Sequence, residues 1–247
     1  MYHFFVTKEQ AAGEKIEIIG DDVNHMKNVL RMKIGEQVTV SDGCDREYLC
    51  HIEEIFDDHI ELKIEDIFGV TNELPCEIVL FQGLPKGDKM ELIIQKAVEL
   101  GAARIIPVMT NRTIVKWDAK KAKKKIDRYN TIAKTAAKQA KRSVIPVVED
   151  VINFKQACQA AGELSANLIP YENAEGIEAS RKAISDIKGK KSVGIFIGPE
   201  GGFEQNEVEQ AMEIGAIPIT LGRRILRTET AGMTVLSILM FMLEQDA

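Results

Sequence analysis

Apolar and polar residues alternate over 15–19, the two-residue period of a half-buried strand. Residues 37–40, 48–55 and 59–64 are further short runs rich in β-branched side chains, and the pattern predicts strands there. Lys33-Ile34-Gly35, Asp42-Gly43 and Asp57-Asp58 separate them with turn residues. Residues 22–31 alone in this region repeat with a helical period, which places Val23, Met26, Val29 and Leu30 on one face. Short strands at close spacing predict a small β-barrel. Asn72-Glu73-Leu74-Pro75 reads as a linker.

Beyond the linker, strand and helix patterns alternate. Residues 77–81, 104–108, 146–149, 167–170, 192–197 and 217–221 are apolar runs of strand length. Residues 88–100 are predicted as a helix, opened by a capping box of Asp88 and Glu91 and closed by Gly101. A long basic helix covers 120–141, and Gly215 stops another over 204–214. The last helix, 228–244, is apolar nearly all round, as in a core or an interface. Such alternation implies a parallel sheet with helices on both faces. The chain is expected to hold two domains, a barrel over 1–72 and an α/β domain over 73–247.

Composition narrows the class. The 247 residues are 45% hydrophobic and 28% charged, which fits a globular protein, and a net charge of −6 gives no whole-chain affinity for nucleic acid. That charge is unevenly spread: residues 1–74 carry 7 basic and 17 acidic side chains, whereas 112–142 carry 12 basic and two acidic ones. Cys44, Cys50, Cys76 and Cys158 form no C-x-x-C pair, so neither a zinc site nor a disulfide framework is expected. The near-apolar stretch 234–243 is half the length needed to cross a bilayer. No membrane partner and a cytoplasmic, reducing location are expected.

Two segments after strands carry the candidate chemistry. Gly198-Pro199-Glu200-Gly201-Gly202 follows a buried strand, where open α/β sheets bind ligands. Glycines there let backbone approach a ligand, although a tight strand-to-helix turn would use them too. The order is neither a dinucleotide fingerprint nor a Walker A loop. Leu221-Gly222-Arg223-Arg224-Ile225-Leu226-Arg227-Thr228-Glu229-Thr230-Ala231 again runs from a strand into a helix, with Thr228 placed to cap it. Leu168-Ile169-Pro170-Tyr171 is a third strand end, and three such ends facing one crevice would form a pocket. The basic helix would carry a stripe of Lys134, Lys138, Lys141 and Arg142 for phosphates, with Gln139 and Asn111 as polar contacts. His25 reads as structural, and Lys27 and Arg31 as possible RNA contacts.

The combination of motifs resembles the ribosomal RNA small subunit methyltransferase E family, which methylates N3 of a uridine in 16S ribosomal RNA. The resemblance rests on His25 to Arg31 with Asp42-Gly43, on Lys86-Gly87-Asp88-Lys89-Met90-Glu91, and on Asn111-Arg112-Thr113. It also rests on Ala136-Ala137-Lys138-Gln139-Ala140-Lys141-Arg142 and on the two glycine-arginine segments. Their order and spacing are specific. Glu204 stands where the family usually carries Ser or Thr, so a weaker helix cap is expected there.

The resemblance implies a PUA-like barrel followed by a SPOUT-type parallel sheet with a deep trefoil knot. It implies a homodimer formed through the knotted domain, S-adenosylmethionine as cofactor, and the small ribosomal subunit as partner. Leu168, Pro170, Tyr171, Ile197, Gly198, Pro199, Glu200, Gly201, Gly202, Leu221, Gly222, Ile225, Leu226, Arg227, Thr230 and Ala231 would line the cofactor site. Arg112, Arg227, Glu200 and Glu229 would carry the chemistry. Lys27, Arg31, Lys86, Arg112, Lys134, Lys138, Gln139 and Arg142 would meet RNA. Whether a base removes the uracil N3 proton or an arginine stabilises the anion stays open at this point. A SPOUT enzyme for another rRNA or tRNA nucleotide, or a non-catalytic RNA-binding module, are the alternative readings.

Overall fold

The computed structural model describes residues 1–11, 13–70, 72–115, 117–174 and 176–244. The chain divides into two compact units, Met1–Glu73 with Ala137–Ile145, and Leu74–Ala136 with Pro146–Ala247. A segment from the middle of the sequence therefore completes the first unit.

In the first unit the strands are β1 (Tyr2–Phe5), β2 (Lys15–Ile19), β3 (Gln37–Ser41), β4 (Arg46–Ile55) and β5 (His59–Gly69), with a short helix α1 (Asp21–Asn24) after β2. They form one five-stranded sheet in the order β1-β3-β4-β5-β2, antiparallel except for β1 against β3. Alternate residues Ile16 and Ile18, Val38 and Val40, and Ile60 and Leu62 face one core with Phe4 and Met26. β1 carries no pattern signal, because four residues are too few to show a period. The helical period of 22–31 predicts one regular helix. After α1 the chain instead widens into a π-helical turn over His25–Val29, with the Leu30 N–H donating to the His25 carbonyl. That extra residue per turn rotates Val29 into solvent, 63% exposed, while Met26 stays buried.

The second unit is built on β6 (Glu77–Gly83), β7 (Ala102–Met109), β8 (Val147–Val148), β9 (Ile152–Asn153), β10 (Asn167–Pro170), β11 (Ser192–Ile197) and β12 (Ala216–Ile219). All pair in parallel, in the order β12-β10-β11-β6-β7-β8, with β9 also on β7. The helices are α2 (Lys89–Glu99), α3 (Ala119–Gln139), α4 (Phe154–Ala161), α5 (Ile177–Ser185), α6 (Gln205–Glu213) and α7 (Thr228–Leu243). β11 is buried at every position, as a central parallel strand should be. The predicted capping box at α2 does not form: Asp88 lies 4.0 Å from Lys125, and Glu91 pairs with Arg128 at 2.7 Å. β9, α4 and α5 went unread, although Asn153 and Gln156 make a reciprocal capping box that opens α4 and is legible as a motif. α7 buries Gly232, Val235, Leu236, Leu239 and Leu243, packing on α2 and β11, yet leaves Phe241 85% exposed.

Candidate functional site

Parallel pairing brings the carboxyl ends of β6, β7, β10, β11 and β12 to one edge of the sheet, where the loops that follow them emerge. The strand order separates segments adjacent in sequence and joins distant ones. Residues 198–203, after β11, lie directly beside Gly83 at the end of β6. A Cβ on Gly83 would stand 2.6 Å from Pro199 Cδ and 2.7 Å from Pro199 N. Only hydrogen fits there, so Gly83 is the seat of this loop. Residue 83 was not among the expected site residues, and a glycine ending a strand gives no signal of what will pack on it.

Buried polar groups fix the junction. Gln82, fully buried, donates from Nε2 to Thr228 Oγ1 at 2.9 Å, and Thr228 donates onward to the Gly198 carbonyl at 2.6 Å. The start of α7 is thereby tied to the loop after β11. Thr228 is the first residue of α7 and Arg227 is its N-cap, so the hydroxyl acts as this tie rather than as the cap expected of it. Arg227, Ile225 and Thr230 are exposed, while Leu221, Leu226 and Ala231 are half-buried. Gly222 takes φ 110°, a conformation that favours glycine. On β10, Leu168 is buried, Pro170 pairs with Ile219 of β12, and the Tyr171 hydroxyl donates to Gln205 at 2.7 Å.

Charge is arranged around the same loop. Glu200 accepts from the Lys86 N–H at 3.1 Å and from Lys89 Nζ at 2.7 Å. Lys89 also lies 3.8 Å from Glu229, whose Oε2 is buried without a hydrogen bond. The Arg112 side chain lies across Gly201, and its guanidinium donates to the Gly201 carbonyl at 2.6 Å. Three of the four residues expected to carry chemistry, Arg112, Glu200 and Glu229, are thus linked to one loop. The fourth, Arg227, faces solvent at the N-cap of α7, two residues before Glu229.

Burial pushes the Glu200 carboxyl up, but the Lys89 ammonium and nearby backbone N–H groups outweigh it and hold the group below its ordinary 4.5. A carboxyl depressed by folding contributes stability above its unfolded pKa and loses it as pH falls through the folded one. The Glu200 anchor should therefore hold fully above pH 4.5 and weaken only below it. Carboxyl-carbon NMR titration should show the Glu200 midpoint move upward in Lys89→Met. An unmoved midpoint would deny Lys89 this part.

The basic residues behave differently from expectation. Arg142 does not offer its guanidinium to a phosphate. It is buried and closes on Glu73, with Nε donating at 2.9 and 3.0 Å and Nη2 donating as well. Lys138 pairs with Asp22 at 2.7 Å, and Lys27 donates to Phe56 O and Asp57. In that neighbourhood Arg31, Gln139 and Lys141 remain exposed, as Lys134 and Lys86 do in the second unit. The opposite end of α3 carries Lys120, Lys121, Lys123 and Lys124, all exposed and without an ion pair among the described residues.

A groove of about 300 Å³ lies between α5, the turn after β12 and α7, lined by Ile177, Ile184, Leu221, Ile238 and Met242. It shares only Leu221 with the expected cofactor residues. No helix among the described residues is long and apolar enough to cross a membrane.

Comparison with known proteins places this arrangement. A family model described as an RNA methyltransferase domain matches residues 72–240, and one described as an RNA methyltransferase PUA domain matches 18–65. The ribosomal RNA small subunit methyltransferase E of Bacillus subtilis (strain 168) is 37% identical, over 98% of this chain and 96% of that one. A methyltransferase of Legionella pneumophila, solved with bound cofactor SAM, is 32% identical, with a TM-score of 0.81 over 96% of each chain. A ribosomal RNA small subunit methyltransferase E of Neisseria gonorrhoeae, bound to S-adenosyl methionine, is 31% identical with a TM-score of 0.82, over 96% of this chain and 95% of that one. On this match across both units, the chain belongs to the ribosomal RNA small subunit methyltransferase E family of RNA methyltransferases.

Proposed function

We propose that the protein methylates N3 of one uridine in 16S ribosomal RNA, with the small ribosomal subunit as substrate, S-adenosylmethionine as methyl donor and the cytoplasm as its place of work. The observation that carries this reading is the convergence of the 198–203 loop, two carboxylates and Arg112 at one sheet edge. The residues fit the cofactor. Gly202 and Gly222 have nothing within 4 Å of where a Cβ would stand and so leave backbone uncovered, and the buried Glu229 Oε2, without a hydrogen bond and 3.8 Å from Lys89 Nζ, suits positive charge. When bound, S-adenosylmethionine supplies a methyl group activated on a sulfonium.

Backbone groups of Ile197, Gly198, Gly202, Leu221, Ile225 and Leu226 would hold its adenine and carboxypropyl ends. Pro199, Gly222, Thr230, Ala231, Leu168, Pro170 and Tyr171 would shape the walls. Glu200 and Glu229 favour positive charge in the pocket. Uracil N3 must lose its proton, to solvent water, before it attacks the methyl carbon. Arg112, already oriented by the Gly201 carbonyl, is placed to stabilise the anion, with the exposed Arg227 as a second cation. The chain's return from the outer strand β12 to Gly198 and Gln82 suits the knot that the family resemblance implies. The exposed apolar face of α7, with Phe241 and Ile238, suits a homodimer interface.

Methyl transfer from labelled S-adenosylmethionine to small subunits lacking the modification tests the reading, with mature subunits and transfer RNA as controls. Label at uridine N3 of 16S ribosomal RNA is expected. Label in transfer RNA alone would overturn the substrate, and no label with no cofactor binding would leave an RNA-binding module. Arg112→Ala should lower kcat while cofactor affinity holds; unchanged turnover would remove Arg112 from the chemistry.

RNA phosphates are best served by Lys120, Lys121, Lys123 and Lys124 of α3, with Lys134 on the same solvent side. Cations in a first helical turn oppose the helix dipole, and phosphate would relieve that. Each lost phosphate contact should flatten the salt dependence of binding by about 0.7–0.9 in log–log slope. The fourfold Lys→Gln variant should show that loss. A slope equal to wild type would exclude this face.

A further inference from the structure

We propose that Glu207 is a positioning residue for methyl transfer: its buried carboxylate clamps the loop after β7 to the loop after β11 and so sets Arg112 over Gly201. The inference rests on the reading that Arg112 acts on the target base.

Glu207 lies in the first turn of α6 and is 2% exposed. Its two oxygens serve two segments. Oε2 accepts from the Glu204 N–H at 2.9 Å, which caps α6. Oε1 accepts from the Asn111 N–H, also at 2.9 Å, and Asn111 lies in the loop that follows β7. The Asn111 side chain returns a bond from Nδ2 to Glu204 Oε2 at 2.9 Å. Glu204, expected to cap poorly, shares a reciprocal capping box with Glu207 and also accepts from the Asn111 side chain of this loop.

The next residue along is Arg112, whose guanidinium reaches the Gly201 carbonyl at 2.6 Å. Phe203, between Gly201 and Glu204, is sunk in the core beside Phe154, with ring centroids 5.5 Å apart. The result is a closed ring: Glu207 to Asn111, along the chain to Arg112, across to Gly201, and back through Phe203 and Glu204 to Glu207. A helix cap alone would need one oxygen, and a neutral residue could supply it. Keeping a carboxylate out of water is costly unless both oxygens are bonded. Here both are, and the second bond goes to the segment that carries Arg112. Glutamine in its place would keep the shape but turn an N–H toward one of two N–H donors.

The test is a double-mutant cycle with Glu207→Gln and Arg112→Ala, read as kcat on small subunits lacking the modification, with cofactor affinity by calorimetry and melting temperature alongside. If Glu207 acts through Arg112, Glu207→Gln should lower kcat on the order of tenfold or more in the wild-type background. In the Arg112→Ala background it should change kcat by less than about twofold. An equal loss in both backgrounds would overturn the proposal and leave Glu207 a cap. Should Glu207→Gln fail to fold, amide exchange at Asn111 decides in Arg112→Ala alone. Protection retained at the wild-type level supports a clamp that stands without the arginine, and protection lost overturns it. A wild-type protein that transfers no methyl group would sink the functional reading instead, and the amide measurement would still judge the clamp.

Discussion

Replacing Glu73 with leucine should destabilise the first unit by about 3–5 kcal/mol, the cost of breaking a buried ion pair by removing one partner. Glu73 does more than balance Arg142. Its Oε1 also accepts the Ser143 N–H at 2.9 Å and the Val144 N–H at 3.0 Å. One carboxylate thus holds the end of the 137–145 segment, whose Ser143 carbonyl in turn accepts from the buried Ser41 hydroxyl at 2.5 Å. Arg142→Met should cost less, about 1.5–3 kcal/mol, the range for hydrogen bonds to a charged group. The carboxylate keeps its two backbone donors in that variant. Removing Glu73 instead takes its carboxylate away from a guanidinium at 6% side-chain exposure. Urea unfolding of the two variants, followed by amide exchange in β3 and β4, checks the order. Equal losses, or a larger loss from Arg142→Met, would show that the backbone bonds to Glu73 carry little.

Gly83→Ala should lower affinity for S-adenosylmethionine by about tenfold to a hundredfold. The added methyl would meet Pro199 Cδ at 2.6 Å, Pro199 N at 2.7 Å and Gly198 C at 3.0 Å. These are ring and backbone atoms, which cannot rotate aside as a long side chain would. The loop must therefore lift from β6, straining the Thr228 bond to Gly198 and the seat of Glu200 with it. Overpacking of this kind costs about 1–3 kcal/mol, and each 1.4 kcal/mol is about a factor of ten in binding. Gly69→Ala, where nothing lies within 4 Å, is the matched control and should bind as wild type does. Calorimetric affinity within about twofold of wild type for Gly83→Ala would mean that the loop yields freely and is not seated by this glycine.

Much of the fold was legible from local pattern. β2, β3, β4, β6, β7, β10, β11 and α6 fall close to the runs that predict them, because a half-buried or buried strand writes its period or its apolar run directly into the chain. The misses have local causes too. β1 and β9 are two to four residues long. The π-helical turn at His25–Val29 breaks a period that assumes a regular helix. The box at Asp88 and Glu91 has the right letters, but the two side chains lie against Lys125 and Arg128 of α3, each 37 residues away.

The sequence by itself determined the parallel alternation, the two glycine-arginine segments and the family. All of these are readable from residues near one another along the chain. Tertiary structure alone decided which partners those residues meet. The basic stretch from Arg112 to Arg142 looks uniform as text. In space Arg142 is consumed by Glu73 and Lys138 by Asp22, whereas Lys120 to Lys124 stay in water. Gly83, Gln82 and Glu207 carried no motif that named them. Their roles come from the strand order, which sets β11 beside β6 and β6 beside β7 and so brings residues 80 to 150 positions apart within hydrogen-bonding or van der Waals distance. Period and propensity act over a few residues. Pairing register and burial act across the chain, and charges and glycines acquire their meaning only there.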